Sequence, residues 1–370
     1  MTGLSEPVAA VAAHALPSRA KPPQRPLDAA EWAATRDTVR SERLWGLLAA
    51  AVVDGAFPVT PQQTEEVVRE HADAMAAVLS LERILLQLDQ DFYAAGICYV
   101  VLKGPSLAHT AYPDPSARCY GDIDVLVHRD DLDRTVALLQ RAGCTRPYPE
   151  IRPGFDRRFG KSVTLIRPDG VELDLHRTFV AGRFGLSVDL DGLFTTSVGL
   201  SIGGRTLPIM GSEERLLAAC YHAAVGDADP RLMTLRDIAQ MVLWGEMDVD
   251  RVEGLAERWR ARAVLARGLQ LAWDRLELMP RPPLVERSAA YRPTAAESRA
   301  VASYTVGRSS TAQTLSALGV VSGWRDKVAF LAAVLVPGRG YLDRHGPDPR
   351  RYVHWWRRGL RSLRRAVFPT

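Results

Sequence analysis

Two aspartates separated by one apolar residue, at the start of an apolar strand, constrain this chain more than any other feature. They lie in the segment Gly121-Asp122-Ile123-Asp124-Val125-Leu126-Val127. Side chains alternate across a strand, so Asp122 and Asp124 point to one face while their apolar neighbours point into a core. Two carboxylates this close repel each other unless a cation lies between them. The pattern indicates a divalent-metal site, although a strand end with a solvated polar face has the same pattern.

A second strand supplies a matching acid. Two apolar runs, Ser162–Ile166 and Val171–His176, flank an Asp-Gly turn, which predicts a β-hairpin. Within the second run Glu172, Asp174 and His176 share the polar face. A cluster of three carboxylates can hold two Mg²⁺ ions, because this cation prefers hard oxygen ligands. For His176, a substrate contact and a structural bond to a neighbouring carboxylate are both open.

A glycine turn precedes these strands. The segment Leu102-Lys103-Gly104-Pro105-Ser106 leaves an apolar strand and enters a helix 18 residues before Asp122. Free backbone N–H groups and the helix dipole make such a turn a phosphate site. Lys103 could neutralise triphosphate charge or simply be solvated at the strand end. The segment is not a P-loop, because the G-x-x-x-x-G-K-[ST] pattern is absent.

Together these elements resemble an uncharacterised branch of the DNA polymerase β-like nucleotidyltransferase superfamily. The shared elements are Leu102-Lys103-Gly104, Ala111-Tyr112-Pro113, Arg118, the Asp-Ile-Asp strand and Asp174-Leu175-His176. The resemblance covers about residues 75–245. It implies an α+β fold in which a polymerase β-like core with a mixed β-sheet is joined to N-terminal helices and a C-terminal α-helical domain.

The resemblance also implies an activity: transfer of a nucleoside monophosphate from a nucleoside triphosphate, most simply ATP, with two Mg²⁺ ions and release of pyrophosphate. By position, Asp122 and Asp124 would bind both metals, and Asp174 would bind one metal and activate the acceptor. The expected nucleotide-binding residues are Lys103, Gly104, Ser106 and Arg118. For Arg118, a phosphate contact and a structural salt bridge are equally open.

The implied acceptor is a hydroxyl, carboxylate or phosphate of a small molecule or peptide, because relatives are associated with peptide natural-product biosynthesis and cell-surface polysaccharide pathways. The candidate substrate contacts are Glu172, His176, Arg158, Lys161, His222 and Asp237. Arg158 and Lys161 belong to a basic loop that could equally be solvated. For Asp237 a helix-packing salt bridge is the stronger interpretation.

Charge bears on the choice of partner. The net charge is +4, but residues 350–370 hold seven arginines and no acid, so residues 1–349 carry −3. An acidic body does not favour nucleic acid as the main partner, although the basic tail leaves it open. Two alternatives therefore remain: an RNA- or protein-modifying, toxin-like nucleotidyltransferase, or a non-catalytic nucleotide-binding protein of the same fold.

Composition along the chain predicts five segments. They are a flexible N-terminal arm over 1–27, an N-terminal helical region over 28–95, the catalytic core over 96–211, a helical domain over 212–345 and a basic amphipathic helix over 346–370. In that last helix the apolar positions are Val353, Trp356, Leu360, Leu363 and Val367. We expect this stripe to pack on the body, with an anionic membrane, nucleic acid or a peptide as alternatives.

Cysteine usage and hydropathy indicate a cytoplasmic protein. The four cysteines are scattered with no C-x-x-C pair, which favours a reducing compartment. The longest strongly apolar run, Val328–Val336, has nine residues, whereas a membrane-spanning helix needs about 20. No transmembrane segment is therefore expected.

Overall fold

The N-terminal part of the chain is helical. The structure, a computed structural model, describes residues 5–305, 310–344 and 350–367. Its first helices are α1 (Glu6–Ala12), α2 (Ala29–Ser41), α3 (Trp45–Val53) and α4 (Pro61–Ala95). Helix α4 has the ends that its sequence predicts: Thr60 and Gln63 form a capping box, and Gly96 takes the left-handed conformation with φ +61°.

A six-stranded mixed sheet follows. Its elements are β1 (Tyr99–Val101), α5 (Pro105–Ala111), a 3₁₀ turn (Pro115–Ala117), β2 (Ile123–Val127), α6 (Leu132–Arg141), α7 (Phe155–Phe159), β3 (Ser162–Ile166), β4 (Glu172–His176), α8 (Gly182–Leu186), α9 (Leu190–Thr195), β5 (Val198–Ile202) and β6 (Arg205–Ile209). The strand order is β3-β4-β2-β1-β6-β5. Strands β2 and β4 are parallel, β1 and β6 are parallel, and the other neighbours are antiparallel. The predicted α+β fold is confirmed.

Helices form the rest of the described chain. They are α10 (Ser212–Tyr221), a π-helical turn (His222–Gly226), α11 (Leu232–Trp244), α12 (Val249–Arg258), α13 (Arg262–Arg275), α14 (Pro283–Ala290), α15 (Ala295–Thr305), α16 (Ser310–Leu318), α17 (Trp324–Leu335), α18 (Arg339–Leu342) and α19 (Arg351–Val367). Within the parts of the chain that the structure describes, no helix is long and apolar enough to span a membrane.

The two faces of the sheet pack into different apolar clusters. Ile123, Val125 and Val127 of β2 join a cluster with helices α4 and α6. Leu126, on the opposite face, joins a larger cluster formed by the N-terminal helices and α10–α15. Asp124 shares that second face, because side chains alternate along the strand. The sheet therefore presents its acids towards the helical part of the molecule.

The predicted flexible arm is wrong for residues 6–16. Helix α1 lies in the large apolar cluster, and Val8 and Val11 are fully buried there. Arg236 of α11 donates from Nη1 to the carbonyl oxygens of Ala12, at 3.1 Å, and His14, at 2.5 Å. The Ala- and Pro-rich composition of the segment indicated disorder. Its few apolar residues are nevertheless enough to pack one short helix against the apolar cluster. Residues 1–4 lie outside the described residues.

Helix α19 packs differently from the predicted stripe. Trp355 and Trp356 donate from their indole N–H groups to the carbonyls of Val334 and Leu335 on α17. Val353, Trp356 and Leu360 stay exposed, so the expected packing of these three on the body is wrong. The side chains of Leu363 and Val367 lie outside the described residues.

A buried ion pair joins the sheet to the helical part. Arg118, in the loop before β2, donates from Nε and Nη2 to the two carboxylate oxygens of Asp237 on α11, both at 2.8 Å. The Tyr112 hydroxyl donates to Asp237 Oδ1 at 2.8 Å. Burial lowers the pKa of Arg118, but Asp237 outweighs it and holds that pKa above its ordinary value. Both charges are satisfied only while the two parts stay docked.

We expect Asp237→Ala to lower the free energy of unfolding by about 3–5 kcal/mol, because it leaves the buried Arg118 guanidinium unpaired. The matched control is Asp250→Ala, which removes an exposed partner of Arg287 and should cost less than about 1 kcal/mol. Urea unfolding of both variants measures the difference. Equal losses would mean that the buried pair does not hold the two parts together.

Candidate active site

Parallel pairing of β2 and β4 places two acids side by side. Asp124 lies opposite Asp174 in the register of the two strands, and Leu126 lies opposite His176. Asp122 immediately precedes β2 on the same polar side. The hairpin acid and the Asp-Ile-Asp pair thus converge on one point of the sheet, as the sequence predicts.

Asp124, Asp174 and His176 form the tightest group. One ligand atom of each lies within 4.8 Å of the others. His176 Nε2 is 2.6 Å from Asp124 Oδ1, and its Nδ1 is 3.1 Å from the carbonyl oxygen of Thr178. Both of these partners are acceptors, so the ring donates to both when both nitrogens carry protons. In this arrangement His176 is a structural partner of Asp124 as well as a neighbour of the site.

Each of the two acids of the D-I-D pair has its own cation. Lys103 Nζ lies 3.5 Å from Asp124 Oδ2, and Arg43 Nη1 donates to Asp122 Oδ1 at 3.1 Å. Burial raises the pKa of Asp124, but Lys103 and His176 outweigh it and hold that pKa well below its usual range. Asp122 is more exposed and lies at the mouth of the site.

The donor set fits a divalent cation. Asp124 and Asp174 offer hard carboxylate oxygens within reach of one ion, and Asp122 lines the same cleft. Burial, followed by the nearby charges of Asp174, Asp122 and Asp124, raises the pKa of Glu172. A bound cation would offset the negative charge of these carboxylates. Glu172 lies near the site, on the exposed edge of the same face.

The glycine turn is shaped as predicted, but its serine is not. Gly104 has φ +59°, and a Cβ built there would lie 3.1 Å from the Tyr120 ring, so glycine is required. Lys103 and Gly104 line the cleft. Ser106 is fully buried, and its hydroxyl donates to the carbonyl of Leu102 at 3.1 Å. Pro105 starts the helix and turns the Ser106 hydroxyl inward, away from the cleft, so a contact of the Ser106 side chain with the triphosphate stays a prediction.

Arg118 and Asp237 line the cleft but are bonded to each other. Arg118 Nη1 also donates to the carbonyl of Gly104 at 3.3 Å, which supports the glycine turn from behind. Arg118 is thus a positioning residue in this structure. A direct contact of Arg118 or Asp237 with a substrate stays a prediction.

The remaining candidates separate into two groups. Lys161 and His222 line the cleft. Burial, followed by the charge of Lys103, lowers the pKa of His222 well below its ordinary value. His222 starts the π-helical turn, a deformation often found at functional sites. Arg158 instead pairs with Asp326 of α17 and lies over the Phe159 ring, outside the residues that line the cleft, so its contact with a substrate stays a prediction.

Sequence reasoning missed three arginines of the cleft. The cleft has a volume of about 240 Å³, and Arg43, Arg215 and Arg231 line it together with the lysines. Arg43 is 79 residues from Asp122, so no local motif joins them. The chain has 43 arginines among 47 basic residues, and this abundance hides the few that face the site.

Comparison with known proteins identifies the family of this chain. The sequence profile of the family described as "Uncharacterised nucleotidyltransferase" matches residues 28–277, which is more than half of the chain and includes both acid-bearing strands. No curated protein matches. A crystal structure of an antigenic nucleotidyltransferase-like protein from Paracoccidioides brasiliensis is similar at 18% identity and a TM-score of 0.28, over 52% of this chain and 92% of that one, a likeness that carries no argument about the site. The chain belongs to the uncharacterised nucleotidyltransferase family, and its reaction class is nucleotidyl transfer.

Proposed function

We propose that this enzyme transfers a nucleoside monophosphate from a nucleoside triphosphate, ATP first among them, to a hydroxyl, carboxylate or phosphate of a small-molecule or peptide acceptor. The observation that carries this proposal is the pairing of Asp124 with Asp174 across parallel strands, with Asp122 beside them. We place the enzyme in the cytoplasm, where its four unpaired cysteines would stay reduced.

Asp122, Asp124 and Asp174 would hold Mg²⁺, two ions in the full complex. The metal supplies charge neutralisation at the phosphates and at the attacking and leaving oxygens. The chain itself supplies cations for the triphosphate, from Lys103, Arg43 and Arg231 around the cleft. Cations fixed in place before the reaction stabilise the charge that develops during transfer.

The proposed transfer is direct and needs no covalent intermediate between the enzyme and the nucleotide. The acceptor oxygen attacks the α-phosphorus, the bond from that phosphorus to the oxygen bridging to the β-phosphorus breaks, and pyrophosphate leaves. Thr164 donates to Asp174 Oδ1 at 2.5 Å, which fixes the orientation of that carboxylate. When the acceptor is a hydroxyl, Asp174 Oδ2 is the oxygen that we assign to receive its proton.

We expect Asp122→Asn combined with Asp124→Asn, or Asp174→Asn alone, to reduce pyrophosphate release at least about a hundredfold, because each removes charge that holds the metal. The control is Asp130→Asn, which changes a 76% exposed acid beyond the other end of β2. Release is measured with a coupled pyrophosphate assay. Undiminished release by the double variant would refute the assignment.

Metal binding has a readout that does not require the acceptor. We expect Mg²⁺ to raise the unfolding midpoint of the native chain, since a ligand at one hundred times its Kd stabilises by about 2.7 kcal/mol. The Asp122→Asn, Asp124→Asn variant should show no such rise. Thermal unfolding followed by circular dichroism tests this, and an equal Mg²⁺ effect on both chains would place the ion elsewhere.

A further inference from the structure

A second, larger cavity adjoins the catalytic cleft. Its volume is about 1070 Å³, against about 240 Å³ for the cleft. Pockets for small molecules typically measure about 300–1000 Å³, so the cleft alone is too small for a nucleotide and an acceptor together. The second substrate therefore needs space of its own, and this cavity is next to the site.

The cavity wall is aromatic and held in place. Phe159 and Phe330 meet edge to face at 5.2 Å between ring centroids, and Phe155 stacks on Phe330 at 6.1 Å. Trp355 and Trp356 complete the wall. Their indole N–H groups already donate to α17 carbonyls, at 2.8 and 2.7 Å, so these rings offer only apolar surface to a ligand.

The charges that line this cavity are mostly positive. Lys161, Arg344 and Arg358 line it, whereas Asp156, the one acid among the described residues of its wall, pairs with Arg146. Arg344 lies 4.2 Å from the Tyr341 ring centroid and Arg358 lies 5.9 Å from that of Trp355. An apolar wall with cations at its edge suits a ligand that has an apolar body and an anionic end.

Lys161 connects the second cavity to the catalytic cleft. It lines both the cavity and the catalytic cleft, and its charge helps to lower the pKa of His222. Its backbone carbonyl accepts from the N–H groups of Arg177, at 2.8 Å, and Thr178, at 3.2 Å, which fixes the residue just before β3. Strand β3 pairs with β4, the strand of Asp174. An anion held by Lys161 thus lies beside the acid-bearing strands.

We infer that the acceptor is an amphipathic organic oxyanion whose apolar body fills the aromatic cavity and whose carboxylate or phosphate lies at Lys161. This inference rests on the proposed function. An oxygen of the anion attacks the α-phosphorus, the bond to the oxygen bridging to the β-phosphorus breaks, and pyrophosphate leaves, which gives an acyl or phosphoryl nucleotidyl anhydride. No proton has to be removed from such a nucleophile.

Binding is tested on the full chain by isothermal titration calorimetry without nucleotide or metal. The probes are decanoate and decyl phosphate, with decanol as the uncharged comparison. We expect saturable binding of one or both anions, and about tenfold weaker binding of decanol, a difference of about 1.4 kcal/mol. Decanoate alone identifies a carboxylate acceptor, and decyl phosphate alone identifies a phosphate acceptor. Equal affinity for decanol and the anions would overturn the inference.

Two pairs of variants locate the site. Val334→Trp fills the cavity from α17 and should weaken anion binding at least about tenfold, whereas Val328→Trp, at an exposed position of the same helix, should not. Leu360→Asp adds a negative charge at an exposed position of the cavity wall and should also weaken anion binding. Val353→Asp, on the same helix, should not. The Leu360 pair decides the result if Val334→Trp does not fold. Unchanged binding by both cavity variants would overturn the inference.

Failure of this inference differs from failure of the proposed function. The Asp122→Asn, Asp124→Asn variant should bind the anions as the native chain does, because its changes lie outside the cavity. If that variant still releases pyrophosphate, the proposed function fails while the cavity result stands. If the native chain transfers nucleotide to an acceptor whose KM is unchanged by Leu360→Asp, the function stands and the inference fails.

Discussion

Repulsion between carboxylates on two parallel strands is the constraint on which the rest of the structure depends. Asp124 and Asp174 lie opposite each other in a sheet, with Asp122 and Glu172 nearby. Like charges at such positions destabilise a sheet unless cations offset them. Lys103 of the glycine turn and Arg43, in the turn between α2 and α3, supply that positive charge, and the buried His176 ring is hydrogen-bonded to Asp124. Much of the surrounding structure brings these cations to one place.

The helical part of the molecule is therefore part of the site. The Arg118–Asp237 pair fixes α11 against the loop that carries the acids, and Arg118 also supports the Gly104 carbonyl. A bidentate pair between buried groups has strict geometry, so it fixes the relative position of the two elements as well as neutralising their charges. The cleft is formed only when the sheet and the helices are docked against each other. The second cavity lies where α16, α17 and α19 cover the hairpin side.

The sequence predicted features that depend on local periodicity. It did not predict features that depend on contacts between residues far apart in the chain. Alternation in β2, the Asp-Gly hairpin and the ends of α4 are each fixed by a few neighbouring residues, and all three are observed. Arg43 could not be found, because it reaches Asp122 across 79 residues. The surroundings of Ser106 and Arg158 also depend on the fold, because helix phase turns Ser106 inward and Asp326 pairs with Arg158. The N-terminal helix is stable, despite its Ala- and Pro-rich sequence, because the large apolar cluster buries it.

The Arg43–Asp122 contact bears on how the proposed metal site would be loaded. Arg43 Nη1 donates to the Asp122 carboxylate at 3.1 Å. If Asp122 binds a metal ion, as we propose, the ion would displace Arg43, and the freed guanidinium would face the cleft that a polyphosphate would enter. Such an exchange of partners would leave neither charge uncompensated while it is partly desolvated.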